Sequence, residues 1–304
     1  MRIGVDLGGT KIEAVALAGD GTIAWRERVA TPQGDYRATV EALCGLVRKA
    51  EAAAGRAGSV GIGTPGAVSR ASGRIKNSNS TMLNGQPLRE DIEAALGRPV
   101  RIANDANCFA LSEAVDGAGR GAEVVFGVIV GTGVGGGIVA RGQILDGPNG
   151  IAGEWGHNRL VEGADSRPRP CYCGRSDCVE TYLSGPALAR DHEVLTGSAL
   201  TGAQIAQGAL AGDAGCRASL ERYARRLAAG LSQVINVLDP DVIVLGGGVS
   251  NIDVLYEMVP SLWGRGVFSD RVDTRLARNV HGDSSGVRGA AWLGREPSTG
   301  GGRA

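Results

Sequence analysis

One short pattern occurs twice in this chain, and it restricts the possible folds more than any other feature. Near the N-terminus Ile3, Val5 and Leu7 alternate as in a strand, Gly8-Gly9-Thr10 turns, and an apolar strand follows from Ile12 to Leu17. A shift of 123 residues sets Gly4-Val5 on Gly127-Val128 and Gly8-Gly9-Thr10 on Gly131-Thr132-Gly133. Both copies continue into a second glycine turn and a third strand, at Ile23 to Val29 and from Gln143. A strand–turn–strand unit repeated at domain-sized spacing predicts two halves of like topology. We expect one lobe over residues 1–116, completed by a C-terminal helix at 284–296 whose cap is Ser284 or Ser285. The second lobe takes residues 117–283, and the tail 297–304 is expected to be disordered.

The connecting segments have α/β character. Apolar spacing predicts helices over Asp35 to Ala54, Leu88 to Leu96 (closed by Gly97) and Asn107 to Val115. Short strands are expected at Ser59 to Gly63, Val100 to Ala103 and Asp241 to Leu245, the last running into Gly246-Gly247-Gly248. Glycine supplies 50 of the 304 residues, an excess that demands tight turns or places where backbone meets a ligand. The 32 basic residues are balanced by 32 acidic ones, so the surplus that tracks a nucleic-acid backbone is absent. The longest uncharged run, Val124 to Ala140, is too short and too glycine-rich for a membrane span. Met1 leads straight into a strand without a signal-peptide core, and we read a soluble cytoplasmic protein with neither nucleic-acid nor membrane partner.

Three groups of residues carry chemistry. In Asp6-Leu7-Gly8-Gly9-Thr10-Lys11 the glycines let phosphate oxygens reach backbone N–H groups, Thr10 and Lys11 can donate further, and Asp6 can hold Mg²⁺. A plain hairpin turn is the other reading. The second copy matches G-x-G-x-x-G at Gly131, Gly133 and Gly136, but a strand follows where a dinucleotide fold needs a helix. Two such turns, with Gly246 to Gly248 after a third strand, suggest a phosphate-and-nucleotide clamp between two lobes. Asn104-Asp105 ends an apolar strand, where α/β proteins place ligand contacts. Asp105 can take a proton from a substrate hydroxyl during phosphoryl transfer, or it can simply cap the next helix. His157, Cys171, Cys173 and Cys178, spaced H-x13-C-x-C-x4-C, fit a closed tetrahedral structural Zn²⁺ site. Reduced thiols or a disulfide are the alternatives. His192 and His281 lack ligand partners nearby in sequence.

In this order the motifs resemble the ROK family of bacterial sugar kinases and repressors, within the actin-like (ribonuclease H-like) ATPase superfamily. The resemblance runs from Arg2 to Leu293. It rests on residues 6–11, Gly61-Ile62-Gly63-Thr64-Pro65-Gly66, Asn104-Asp105-Ala106-Asn107, Gly131-Thr132-Gly133, Gly153-Glu154-Trp155-Gly156-His157, Cys171 to Glu180, and Gly246 to Gly248. Within the family Lys76 to Leu88, Ala152 to Asn158 and His281 to Gly289 look most like the fructokinases. The resemblance implies a two-lobed actin-like fold with an inserted zinc loop at 157–180, and transfer of the γ-phosphate of Mg-ATP to the 6-hydroxyl of fructose, or also mannose. It makes Asp105 the general base. Asn79, Asn104, Glu154, His157 and Glu180 would hold other sugar hydroxyls. Gly4, Val5, Asp6, Leu7, Gly8, Gly9, Thr10 and Lys11 would cradle ATP together with Gly131, Thr132, Gly133, Val134, Gly135, Gly136, Gly137 and Ile138, and with Gly247 and Gly248. A homodimer is implied too.

The family's zinc loop usually carries Gly before its last Cys, whereas Asp177 stands here. Asp tolerates the positive φ such a turn needs better than most residues. N-acetylglucosamine kinase or glucokinase is the alternative activity. A sugar-responsive repressor would need a helix-turn-helix ahead of the first turn, and that turn begins at residue 4.

Overall fold

The computed structural model describes residues 1–160 and 167–294. The chain begins with strands β1 (Arg2–Leu7), β2 (Lys11–Leu17) and β3 (Ile23–Ala30), then helix α1 (Tyr36–Ala54), β4 (Ser59–Thr64), and the short pair β5 (Ala67–Val68) and β6 (Ile75–Lys76). Helix α2 (Leu88–Leu96), β7 (Arg101–Asn104) and α3 (Asp105–Asp116) follow, then β8 (Val124–Val130), β9 (Val134–Ala140) and β10 (Gln143–Ile144). The remainder is α4 (Glu180–Leu183), α5 (Gly185–Thr196), α6 (Gly202–Leu210), α7 (Ala214–Leu238), β11 (Val242–Gly246), α8 (Leu255–Trp263), β12 (Arg275–Arg278) and α9 (Ser285–Trp292).

The duplicated pattern is a duplicated sheet. One sheet has the order β3-β2-β1-β4-β7 and the other β10-β9-β8-β11-β12. In the first, β1 pairs antiparallel with β2 and parallel with β4, and in the second β8 pairs parallel with β11. The chain divides into two compact units. The first holds Met1–Gly121, Gly137–Ala152 and the described residues from Asp283 onward, and the second holds Ala122–Gly136 and Gly153–Gly282.

In the first unit Ile3, Val5, Leu7, Ile12, Leu43, Leu46, Val47 and Ile62 form one buried cluster. Burying each such aliphatic side chain stabilises by about 1.5–3 kcal/mol relative to leaving it exposed. Helix α9 belongs here through Val287, Ala290 and Ala291, all fully buried. Its backbone comes so close to β1 that a Cβ at Gly4 would sit 2.1 Å from the Val287 carbonyl oxygen. Polar contacts fasten the helix: Arg288 pairs with Asp116 and donates to the Gly21 carbonyl, and the Trp292 Nε1–H also reaches Asp116. Neither serine caps it through its side chain, contrary to expectation, because the Ser285 hydroxyl donates to the buried Glu113 carboxylate instead. The expected helical residues 295–296, the tail 297–304 and residues 161–166 of the zinc loop lie outside the described residues.

Candidate active site and metal centre

In the first unit, β7 delivers Asn104 and Asp105 to the start of α3. The cap is Asn104: its Oδ1 accepts the Asn107 N–H at 2.7 Å. Asp105 is the first helical residue, with an exposed side chain whose Oδ1 accepts the Ala106 N–H at 2.8 Å. The capping reading of Asp105 is thereby corrected in position: Asn104 occupies the cap, and Asp105, the first residue inside the helix, takes the neighbouring Ala106 N–H.

Asp6, the penultimate residue of β1, lies opposite Glu13 of β2. Glu13 is buried and bridged by Arg26 and Arg28 at 2.5 and 2.6 Å. Desolvation first, then the charges of Asp105 and Glu13, push the Asp6 carboxyl up to about 7, with Lys11 and Arg28 only partly offsetting them. A buried carboxyl raised by neighbouring carboxylates fits a divalent cation, which would replace the missing solvation with charge. Asn79 is exposed in a segment held by two Asn84 side-chain bonds, to the Ser78 N–H and C=O. The Ser80 hydroxyl of that segment lies 3.7 Å from where a Cβ of Gly9 would stand, so it borders the first glycine turn.

The phosphate-binding expectation narrows in the structure. Gly9 and Thr10 are exposed at the first turn, and Gly8 and Lys11 flank it through the Gly8 N–H to Lys11 carbonyl bond. Val5 and Leu7 belong to the hydrophobic core, and α9 covers Gly4, so none of these three offers a surface to a nucleotide. The second turn divides the same way. Thr132 is exposed between Gly131 and Gly133, whereas Val134, Gly136 and Gly137 are buried strand positions and Gly135 and Ile138 are half-buried ones. Sequence spacing could not separate turn from strand inside a glycine run. Gly247, adjoining the exposed Gly248, packs against Val130 and Gly131, which brings the third glycine cluster to the second turn.

Glu180 opens α4, and its Oε2 accepts the Val134 N–H at 2.8 Å. A Cβ at Gly133 would lie 2.6 Å from that oxygen, so glycine there admits the carboxylate. Thr132, Tyr172, Glu180 and Ser184 border a cavity of about 620 Å³ in the second unit. Glu154 is exposed just ahead of His157.

His157, Cys171, Cys173 and Cys178 offer ligand atoms that all lie within 4.8 Å of one another. Cys173 Sγ stands 3.6 Å from Cys178 Sγ, and Cys171 Sγ 3.7 Å from His157 Nδ1. A tetrahedron with Zn–S bonds of about 2.3 Å has edges of about 3.8 Å, so these spacings suit zinc. They are far beyond a disulfide bond, and all six cysteines are free. The Arg175 N–H lowers the Cys173 thiol to about 6, while burial raises that of Cys178. The turn before Cys178 has the left-handed geometry anticipated for it, with Asp177 at φ 60°. Sequence reasoning missed Tyr172, whose hydroxyl meets His157 Nε2 at 3.1 Å; its place between two cysteines was the only signal. His192 is a core residue bonded to Ser219 at 2.9 Å.

Two like sheets, each opening on a glycine-turned hairpin, with a carboxylate at the end of a parallel strand, define the actin-like (ribonuclease H-like) ATPase fold. The ROK family model matches residues 2–296, and the chain belongs to that family, among its sugar kinases. It is 41% identical over 299 residues to a Pectobacterium atrosepticum protein named N-acetyl-D-glucosamine kinase, covering 96% of this chain and 98% of that one. It is similar to the solved ROK hexokinase of Thermus thermophilus (TM-score 0.84, 34% identity, 95% and 96% of the two chains). A ROK glucokinase of Streptomyces griseus, solved with glucose and AMPPNP, gives a TM-score of 0.76 at 31% identity, covering 96% and 98%. Among the described residues no helix is long and apolar enough to cross a membrane.

Proposed function

We propose that this sugar kinase transfers the γ-phosphoryl group of ATP to the 6-hydroxyl of N-acetyl-D-glucosamine, with Asp105 as the general base. One observation carries the mechanism: Asn104 takes the helix cap, so the Asp105 carboxylate is exposed at the end of β7. Asp105 accepts the hydroxyl proton as the sugar oxygen attacks the γ-phosphorus in line, and ADP leaves. Mg²⁺, for which Asp6 is the candidate ligand, would neutralise charge on the phosphates when bound. The exposed N–H groups of Gly9 and Thr10 bind phosphate oxygens in the first unit, and the Gly131 to Gly133 turn does so in the second. Asn79 and Asn104 in the first unit, with Glu154, His157 and Glu180 in the second, orient the remaining hydroxyls. His157, Cys171, Cys173 and Cys178 would hold Zn²⁺, which would be structural, steadying the backbone beside Glu180 and supplying no reacting group.

The substrate choice rests on the near full-length likeness to N-acetylglucosamine kinases and moves fructose to second place. Fructose is favoured by the Lys76 to Leu88, Ala152 to Asn158 and His281 to Gly289 segments. The test is kcat/KM with ATP on N-acetylglucosamine, fructose, mannose and glucose. N-acetylglucosamine should lead by about tenfold or more, as expected when a site hydrogen-bonds the group that distinguishes its substrate. A lead for fructose restores the fructokinase reading. No turnover on any hexose overturns kinase activity and leaves a sugar-binding repressor or inactive module.

A further inference from the structure

Behind the metal loop lies a polar network to which the proposed reaction assigns no part. Asp177 is 3% exposed, and both its backbone groups are paired: its N–H donates to the Arg169 carbonyl and its carbonyl accepts the Leu160 N–H, each at 2.8 Å. Its Oδ1 accepts the Arg169 N–H at 2.9 Å and the Tyr182 hydroxyl at 2.7 Å, and Arg159 approaches Oδ2 at 3.4 Å. Tyr182 is fully buried, with the guanidinium of Arg169 4.2 Å and that of Arg226 4.9 Å from its ring centroid. Both arginines pair with the buried Asp191, and Arg169 also donates to the Thr181 carbonyl at 2.9 Å. Asp191 therefore stands between two largely buried guanidiniums, and Asp177, paired with the exposed Arg159, holds the hydroxyl of the Tyr182 ring that those guanidiniums flank.

The connections of this cluster give it a direction. Asp177 immediately precedes the ligand Cys178, and Arg169 stands two residues before the ligand Cys171. Tyr182 and the Thr181 carbonyl belong to α4, the single turn that begins with Glu180. Glycine would satisfy the left-handed backbone at 177 but would offer no acceptor to Tyr182 or to the Arg169 N–H. A non-glycine residue held at positive φ, with its side chain fully engaged, is strain matched by specific contacts.

We propose that Asp177, through Tyr182 and the Arg169–Asp191–Arg226 cluster, is a positioning residue that fixes Cys178 for the metal and Glu180 for the sugar. The sugar half rests on the reading of Glu180 given above, whereas the metal half stands without it. Outer-shell partners of this kind typically change metal affinity by 10–100-fold. Asp177→Gly keeps the backbone geometry and deletes the acceptors, while Asp177→Asn keeps an acceptor oxygen and tolerates positive φ.

With Zn²⁺-loaded full-length protein, Asp177→Gly should release zinc to a chromogenic chelator about tenfold faster than wild type. Its sugar KM should rise about tenfold while kcat stays within about threefold, the pattern of lost binding rather than lost chemistry. Asp177→Asn should stay within about threefold of wild type on all three measures. Wild-type zinc release in Asp177→Gly overturns the proposal, as does an Asp177→Asn protein as impaired as the glycine variant. Faster release with an unmoved KM overturns the sugar half. If no hexose turns over, the chelator measurement alone still decides the metal half. Should the glycine variant not fold, Tyr182→Phe removes one donor and keeps the ring between the arginines. It should shift zinc release in the same direction by about threefold, and an unchanged rate overturns the proposal.

Discussion

The two glycine hairpins share a backbone plan and differ in everything placed around it. Both begin a five-stranded sheet at its third strand, and both turn through three residues. The first turn is held through its carbonyls, Gly8 and Thr10 by Thr31 and Gly9 by Gln33, while Gly9 and Thr10 stay exposed and the Asp6 carboxyl feels the charges of Glu13 and Asp105. The second is tied down: the Gly131 carbonyl accepts the Gly185 N–H, Glu180 takes the Val134 N–H, and Gly247 packs against the turn. At the duplicated positions Ile129 stands for Asp6 and Val134 for Lys11. Duplication thus supplied a three-residue glycine turn twice, with Asp6 and Lys11 beside one copy, and Glu180 beside the other in the unit that carries the His157–Cys171–Cys173–Cys178 cluster.

The strongest way to break this asymmetry is at the fifth strand. β7 ends at Asn104 and is followed by Asp105, while β12 ends at Arg278 and is followed by Asn279, whose amide donates to the Leu245 carbonyl. Asp105→Asn gives the first half the amide chemistry of the second. Loss of a general base typically costs 10²–10⁴-fold, so kcat should fall by about 10³-fold with sugar KM within about threefold of wild type. Coupled detection of ADP measures both. A retained kcat would return Asp105 to a structural role.

A smaller effect separates the halves by pH. In the folded protein without nucleotide, Asp6 holds its proton up to about pH 7, whereas the unfolded chain releases it near 3.8. Between those values the folded state binds more protons, so stability falls as pH rises, then levels off above about 7. Below 3.8 both states are protonated and the group contributes nothing. Asp6→Asn should therefore raise the melting temperature at pH 8, by about 5 °C for a gain on the order of 2 kcal/mol, and leave it unchanged at pH 4. Hydrogen exchange should place the pH response in β1 and β2 and not in β8 and β9, where Ile129 has nothing to titrate. An equal response in both hairpins would remove the distinction.

Much of this was legible because it is local. Alternation, glycine spacing and the 123-residue shift revealed both hairpins, and Gly97 closes α2 where its position after Leu96 placed it. The clustering of His157, Cys171, Cys173 and Cys178 was legible because H-x13-C-x-C-x4-C is a pattern of side-chain chemistry rather than of packing. What stayed hidden depends on long-range contact. That Gly4 serves helix packing and not phosphate follows only from α9, some 280 residues away in sequence. Asn104 and Asp105 are equally good caps on paper, and the strand's end point chose between them. Asp177 stands out in the sequence as a departure from glycine, but its partners Tyr182 and Arg169 belong to no motif.

The smallest effects test the turns themselves. A Cβ at Gly9 meets nothing closer than the Ser80 hydroxyl at 3.7 Å, and Gly9 is not among the left-handed glycines. Gly9→Ala should therefore leave stability within about 0.5 kcal/mol of wild type. Any rise in its KM for ATP, expected at about threefold, reports a methyl group standing between backbone and phosphate. At Gly133 the added methyl would lie 2.6 Å from Glu180 Oε2, the mobile end of a side chain, so the carboxylate swings away and the Val134 N–H loses its acceptor. A lost hydrogen bond of that kind costs about 1–3 kcal/mol. Gly133→Ala should consequently raise the KM for the sugar more than that for ATP, the reverse of Gly9→Ala. If the two alanine variants shift the same substrate, the turns are equivalent in function as well as in backbone, and the division of labour between the halves fails.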